Sequence, residues 1–290
     1  MLKKILKWIG IVVGCLIILV LLFSATVYFK TEGRANKLYA VKVQQLSIPT
    51  DSVNYKLGAH LAAIKGCNDC HAEGGKALFD EKNPIALLYS ANLTNGEGGI
   101  NYTDEDWLRA LRHGIGKDGK TLWFMPVQHT SGNLSNHELV ALISYLKQQP
   151  SVDAIHPKKV MNPLGRMLTF LGKFPLFTAE FIDQNAVFPD EVKPEISKAY
   201  GQYMTTVCSG CHGNNFKGGP GHNIGEPDIP DISGNSKIKD WTSNQFITAL
   251  HTGKTPDGRT LSKFMPWNTL GEAHTDDELR AMYLYLHDLK

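Results

Sequence analysis

Cys67-Asn68-Asp69-Cys70-His71 sets two thiols three positions apart with an imidazole directly after them, and Cys208-Ser209-Gly210-Cys211-His212 repeats the arrangement. Thiols at this spacing can add across the two vinyl groups of a haem as thioethers. The adjacent histidine, kept beside the macrocycle by that tether, is then the proximal iron ligand. Four of the five cysteines are used in this way, and only Cys15 is left over. Other chemistries explain less. Two CxxC pairs could give zinc four sulfur ligands, but each following histidine would be unexplained, and the intervening stretch is far longer than in a zinc ribbon. A disulfide pair and a thioredoxin-like redox motif are the remaining alternatives. The latter belongs after a strand in a βαβ unit, whereas helical patterns precede both motifs here.

What fills the sixth position of a histidine-bound iron separates an electron carrier from a catalyst. Met125 and Met265 are the candidates, because each lies in a Phe-Met-Pro tripeptide at nearly the same distance after its CxxCH. A thioether sulfur is soft, favours ferrous iron and raises the potential. Met161, Met167, Met204 and Met282 have no counterparts at matching places and read as core filler. His113, His129, His251 and His274 are the rival ligands, and none recurs between the two halves. With both axial positions filled, single electrons are the natural cargo, whereas peroxide chemistry would require a ligand to leave. His212 is expected to donate its Nδ1 proton to a backbone carbonyl in the loop through Gly218-Gly219-Pro220, with Pro220 as the acceptor.

The elements that must position these groups follow from periodicity. Lys3, Lys4 and Lys7 precede Trp8 to Phe29, which contains no charged residue. That run is long enough to cross a bilayer, and the preceding lysines orient the N-terminus inward. A cleaved signal would have a shorter apolar region, and the lipobox-like Val12-Val13-Gly14-Cys15 is followed by further apolar residues. Val53, Leu57, Leu61 and Ile64 fall at helical spacing and lead into Cys67. Thr103 to Leu111 reads as a second helix, Lys117 to Lys120 as a turn, and Ser135 with Glu138 as a capping box. The box opens a closing helix whose inner face is Leu139, Leu142, Ile143 and Leu146. Pro157, Pro163, Pro175 and Pro189 punctuate the following stretch. It is too apolar for a free tether and is expected to lie across one or both units, with a partner-binding or membrane-surface role as one reading.

The second half repeats the first. Ile196, Tyr200, Tyr203 and Val207 form its first helical face; Arg109 to Gly114 corresponds to Thr248 to Gly253, and Asp118-Gly119 to Asp257-Gly258. Phe124-Met125-Pro126 returns as Phe264-Met265-Pro266, the capping box as Thr275 to Glu278, and Tyr145-Leu146 as Tyr285-Leu286. Thirty basic residues against 28 acidic ones give a net charge of +2, which leaves no nucleic-acid footprint.

On these residues the chain resembles membrane-anchored dihaem cytochromes c of the class I type. Asn92-Leu93-Thr94, Trp107 to Gly114, Lys117-Asp118-Gly119 and Phe124-Met125-Pro126 are similar to the haem domains of cytochrome subunits serving bacterial periplasmic alcohol and aldehyde dehydrogenases. The resemblance implies an all-α chain: an N-terminal transmembrane helix (1–35), a first cytochrome c domain (36–150), an apolar Pro-rich linker (151–194) and a second cytochrome c domain (195–290). It further implies two covalently attached haem c groups, one held by Cys67 and Cys70 with axial His71 and Met125, the other by Cys208 and Cys211 with axial His212 and Met265. Tyr145 and Tyr285 match aromatic positions of the family's closing helix. Those subunits typically carry three haems, and this chain has two motifs.

The expected function is therefore electron transfer rather than catalysis. The chain would relay electrons from a membrane or periplasmic donor to an oxidase or another cytochrome, or serve as the electron-transfer subunit of a periplasmic dehydrogenase. The expected partners are a dehydrogenase, a quinol-oxidising complex, an oxidase or a soluble cytochrome. The expected location is the bacterial inner membrane, with a single span and the haem domains on the periplasmic face. A dihaem peroxidase is the rival enzyme reading. A haem-based sensor would need an output domain, and the sequence contains none.

Overall fold

The computed structural model describes residues 1–221 and 226–290. Helix α1 (Leu2–Ala35) is long and apolar enough to cross a membrane by length and composition. It runs past the charge-free stretch, and its last turns bury Val27, Thr31 and Ala35 on one face. Helix α2 (Ser52–Ile64) starts at Asp51, whose carboxylate accepts from the amides of Val53 and Asn54. It stops at Gly66, where a left-handed φ of 69° turns the chain directly into α3 (Cys67–His71). Two capped helices follow, α4 (Asp104–His113) and α5 (Asn136–Lys147). Their capping boxes pair Thr103 with Asp106 and Ser135 with Glu138.

After the short α6 (Pro163–Phe170) the pattern returns as α7 (Lys198–Met204), α8 (Ser209–His212), α9 (Ser243–Thr252), α10 (Trp267–Ala273) and α11 (Asp276–Asp288). Both α9 and α11 begin with capping boxes, Thr242 with Gln245 and Thr275 with Glu278. Helices α4 and α9 both end on left-handed glycines, Gly114 and Gly253, whose amides bond Ala110 O and Ala249 O.

Two helix crossings stand beside the CxxCH turns, each made by the helix that precedes a motif and by a closing helix. Helix α2 packs on α5 and α7 packs on α11. Each crossing is close because a glycine sits in it: a methyl group at Gly58 would collide with the carbonyl oxygen of Ala141, and one at Gly201 with that of Ala281. One apolar cluster runs through both crossings, from Leu61, Leu108, Leu139 and Leu142 to Met204, Phe246, Leu279 and Met282.

Helix makes up about half the chain. Three local features differ from the expectation. Strands β1 (Ala77–Phe79), β2 (Ala86–Tyr89) and β3 (Val160–Met161) form an antiparallel sheet in the order β1-β2-β3. The reason is that β2 buries Ala86 and Leu88 by strand alternation, in a second cluster with Met161, Leu176, Phe177 and Ala35. Val53 is 72% exposed, because the buried face of α2 is formed by Gly58, Leu61, Ala62 and Ile64. Ile196 precedes α7 and is exposed at 47%, while Val207 falls in a separate 3-10 turn, so that helix is shorter than its spacing suggests.

The segment 151–194 packs closely on the first half. It supplies β3, buries Leu176 and Phe177, and caps α5 through Asn136 N to Pro189 O and His137 N to Asp190 O, both 2.9 Å.

Candidate functional site

Each CxxCH folds as a single helical turn, and in each the histidine is oriented by a distant carbonyl. His71 Nδ1 lies 2.9 Å from Ala91 O. Donation of the Nδ1 proton to that oxygen fixes the tautomer and leaves the Nε2 lone pair able to ligate. The carbonyl is itself held, because the next residue, Asn92, forms a turn in which Thr94 N donates to Asn92 Oδ1 at 3.0 Å. Asn92 Nδ2 also donates to Val152 O at 2.7 Å. Ser90 Oγ donates to the carbonyl of Cys70, tying the same strand to the motif.

The second motif has the same arrangement. His212 Nδ1 lies 2.8 Å from Pro230 O, and Ser233 N donates to Asp231 Oδ1 at 2.7 Å. This corrects the expected acceptor, Pro220. Gly219 pairs antiparallel with Ile229, so the returning arm of the loop, rather than the outgoing one, meets the imidazole. Pro230-Asp231-Ile232-Ser233 is thus the counterpart of Ala91-Asn92-Leu93-Thr94. The readable signal was an Asx residue two positions before a Ser or Thr.

The donor chemistry fits a haem. Burial pushes the Cys67 and Cys208 thiols up to about 12, and it also raises Cys70 and Cys211. Burial lowers His71 and His212. Burial favours the neutral imidazole, the form in which a histidine ligates iron, and each motif sets that imidazole beside two thiols, the donor set of a haem c site. All five cysteines are free, and among the described residues no group of three or more His, Cys, Asp or Glu side chains converges as a metal site.

Met125 and Met265 are both partly buried and pack on the apolar cluster that also takes in Cys67 and Cys208. The residues around them match. Pro126 (φ −81°, ψ 54°) and Pro266 (φ −77°, ψ 52°) share one conformation, and each methionine carbonyl accepts at 2.8 Å, from Val127 N and Trp267 N respectively. The rival histidines have other partners. His113 Nδ1 lies 2.8 Å from Gln184 Oε1, His129 Nδ1 2.8 Å from Ser209 Oγ, and His251 Nε2 2.9 Å from Asp276 Oδ1. His274 Nδ1 meets Leu270 O at 2.9 Å, and burial depresses it to about 4.

Sequence reasoning missed the polar seam between the two crossings. His60 Nε2 lies 2.7 Å from Glu278 Oε1, and Tyr203 Oη donates to Glu138 Oε2. Between them Lys65 is 4% exposed, with its ammonium 5.7 Å from the centroid of the Tyr203 ring. Burial lowers its pKa, against the opposing field of the Glu138 and Glu278 carboxylates.

The cytochrome c family model matches residues 196–290. The chain is 26% identical over 278 residues to the cytochrome c subunit of a quinone alcohol dehydrogenase from Gluconobacter oxydans, covering 82% of this chain and 55% of that protein. It is 28% identical over 223 residues to a fructose dehydrogenase cytochrome subunit from Gluconobacter japonicus, covering 70% and 45%. A gluconate 2-dehydrogenase cytochrome c subunit from Pantoea cypripedii is 26% identical over 170 residues, covering 54% and 37%. The chain spans about half the length of the first two of these relatives.

Proposed function

We propose that this chain, which carries a cytochrome c domain and is homologous to cytochrome c subunits of dehydrogenases, is a membrane-anchored dihaem electron carrier that accepts electrons from a dehydrogenase partner. Haem c follows from the cytochrome c domain; the second haem, the ligands and the partner belong to the proposal. The observation that carries it is the duplicated histidine geometry, with Nδ1 of His71 and of His212 each on a carbonyl at 2.9 and 2.8 Å.

When bound, each haem supplies a one-electron ferric/ferrous couple. The chain does the rest. Cys67 with Cys70, and Cys208 with Cys211, hold the two groups covalently. Ala91 O and Pro230 O orient the imidazoles of His71 and His212 and raise their basicity. Met125 and Met265 would supply the second ligand to each iron, a soft thioether sulfur that would favour the reduced state. Helix α1 keeps the units at the inner membrane on its outer face. Electrons would then pass to a terminal oxidase or another cytochrome.

The test is haem stoichiometry in the purified full-length protein. Pyridine haemochrome analysis should give two covalently retained haems per chain, and Cys208→Ala should leave one. Fewer than two in the unaltered protein would remove one site from the proposal.

A further inference from the structure

Phe170 meets Phe23 edge-on with ring centroids 6.2 Å apart, and this contact sets the depth of α6 along α1. Phe23 lies within the charge-free run that ends at Phe29. At 1.5 Å per residue it sits about 9 Å inside the end of that run. The whole run is about 33 Å long, slightly more than the ~30 Å hydrocarbon thickness of a bilayer. A side chain that touches Phe23 is therefore level with acyl chains.

Helix α6 is held firmly against the last turns of α1, with Arg166 at the level where the charge-free run ends. Arg166 donates through Nη1 to Thr31 Oγ1 and through Nη2 to Glu32 Oε2, both at 2.9 Å, and its guanidinium lies 4.3 Å from the Tyr28 centroid. Arg34 Nη1 donates to Thr169 O at 2.8 Å, satisfying a carbonyl at the end of α6. On another side, a methyl group at Gly165 would collide with the carbonyl oxygen of Ile85, so the helix backs directly onto the chain beside β2. With those sides taken, Leu164, Leu168 and Leu171 follow one another at positions i, i+4 and i+7. Leu164 is 45% and Leu171 56% exposed.

We propose that α6 is a second membrane element, whose Leu164-Leu168-Leu171 stripe sits in the acyl chains of the leaflet from which α1 emerges. Leu168 and Leu171 flank Phe170, the residue that reaches Phe23, and continue the apolar surface of α1 toward the membrane, with Leu164 nearer the Arg166 end. Two attachments made rigid by Arg34 and Arg166 fix the height and tilt of the first CxxCH unit over the bilayer, which a single helix cannot do. The inference rests on the reading of α1 as an anchor and goes beyond it.

The experiment uses the full-length holoprotein in nanodiscs of phosphatidylcholine and phosphatidylglycerol doped with a phospholipid bearing a diazirine in its acyl chain. After photolysis, labelled peptides are mapped by mass spectrometry. Label should appear on α1 and on the peptide containing 164–171. Leu171→Glu should cut labelling of that peptide several-fold, with α1 labelling and the visible haem spectrum unchanged. Label on α1 alone would overturn the proposal and leave the anchor standing. Absence of label from both would remove the anchor reading, and the proposal with it.

Discussion

His60 Nε2 and Glu278 Oε1 are 2.7 Å apart across the seam between the two helix crossings, and the relation recurs in reverse with Tyr203 and Glu138. Both carboxylates occupy the N3 position of a capping box, on α11 and α5 respectively. Both donors stand two residues beyond the glycine at a crossing, Gly58 or Gly201. Each half of the chain thus uses its first long helix to bond the closing helix of the other half. The carboxylates serve two purposes at once, satisfying the first turn of a helix and joining the halves.

The His60–Glu278 pair makes stability depend on pH. The bond to Glu278 raises His60 above its ordinary 6.5. Burial pushes Glu278 up, but His60 and the Thr275 amide outweigh it, so the carboxyl ends below its ordinary 4.5. A raised histidine contributes stability that is complete below 6.5 and is lost as pH rises through its folded value. A lowered carboxylate contributes stability that is present above 4.5 and is lost as pH falls through its folded value. The unfolding temperature of the holoprotein should therefore exceed that of His60→Gln near neutral pH, and the difference should shrink as pH rises above 6.5 through the raised value. A difference that stays constant with pH, measured by calorimetry, would show that the pair does not make stability pH-dependent.

Replacing either crossing glycine should be severe. Gly58→Ala or Gly201→Ala drives a methyl group into the backbone of the facing helix, with no flexible side chain to yield. Overpacking of this kind costs about 1–3 kcal/mol, and more where backbone must move. Denaturant titration should show the loss in both variants. Gly172→Ala, with open space around it, is the control; it pays only the strain of a left-handed φ of 68°. Equal losses at all three positions would mean that the close approach is not what the glycines serve.

The chemistry-bearing turns were legible because their signal is local. CxxCH, the Phe-Met-Pro tripeptides and the capping boxes are each defined within a few residues, and Ser135 and Thr275 do cap α5 and α11. Contacts between distant segments were not legible. Pro230 reaches His212 only because Gly219 pairs with Ile229, and β3 exists only because Val160 and Met161 find β2. The spacing of Tyr203 predicts a core-facing aromatic, yet its hydroxyl donates to Glu138 in the other half. Helical periodicity reports that a face is covered, and it does not identify what covers it.

Lys65 should act on both proposed haems at once. It is nearly fully buried, and both Cys67 and Cys208 feel its charge. A buried cation beside a redox centre stabilises the state with the extra electron. Lys65→Met should lower both midpoint potentials by tens of millivolts, while Lys65→Arg should largely preserve them. Spectroelectrochemical titration distinguishes the cases; a shift in one haem only would place the charge on one side of the seam.

The methionine assignments decide between a carrier and a catalyst. Met125 and Met265 share a local backbone, with Pro126 and Pro266 in one conformation, so the two substitutions should act alike and separately. Met265→Ala removes a thioether that favours ferrous iron. The potential of the second haem should fall and its sixth position should open to cyanide or carbon monoxide, while the first haem hardly changes. Covalent attachment depends on Cys208 and Cys211 alone, so haem content should stay constant and the near-infrared methionine-to-ferric charge-transfer band should lose one component. Met125→Ala should do the same to the first haem. If neither variant alters that band or the redox titration, the sixth ligands are other residues. His274 would then be the first to test in the second half, since its Nε2 is buried without a partner.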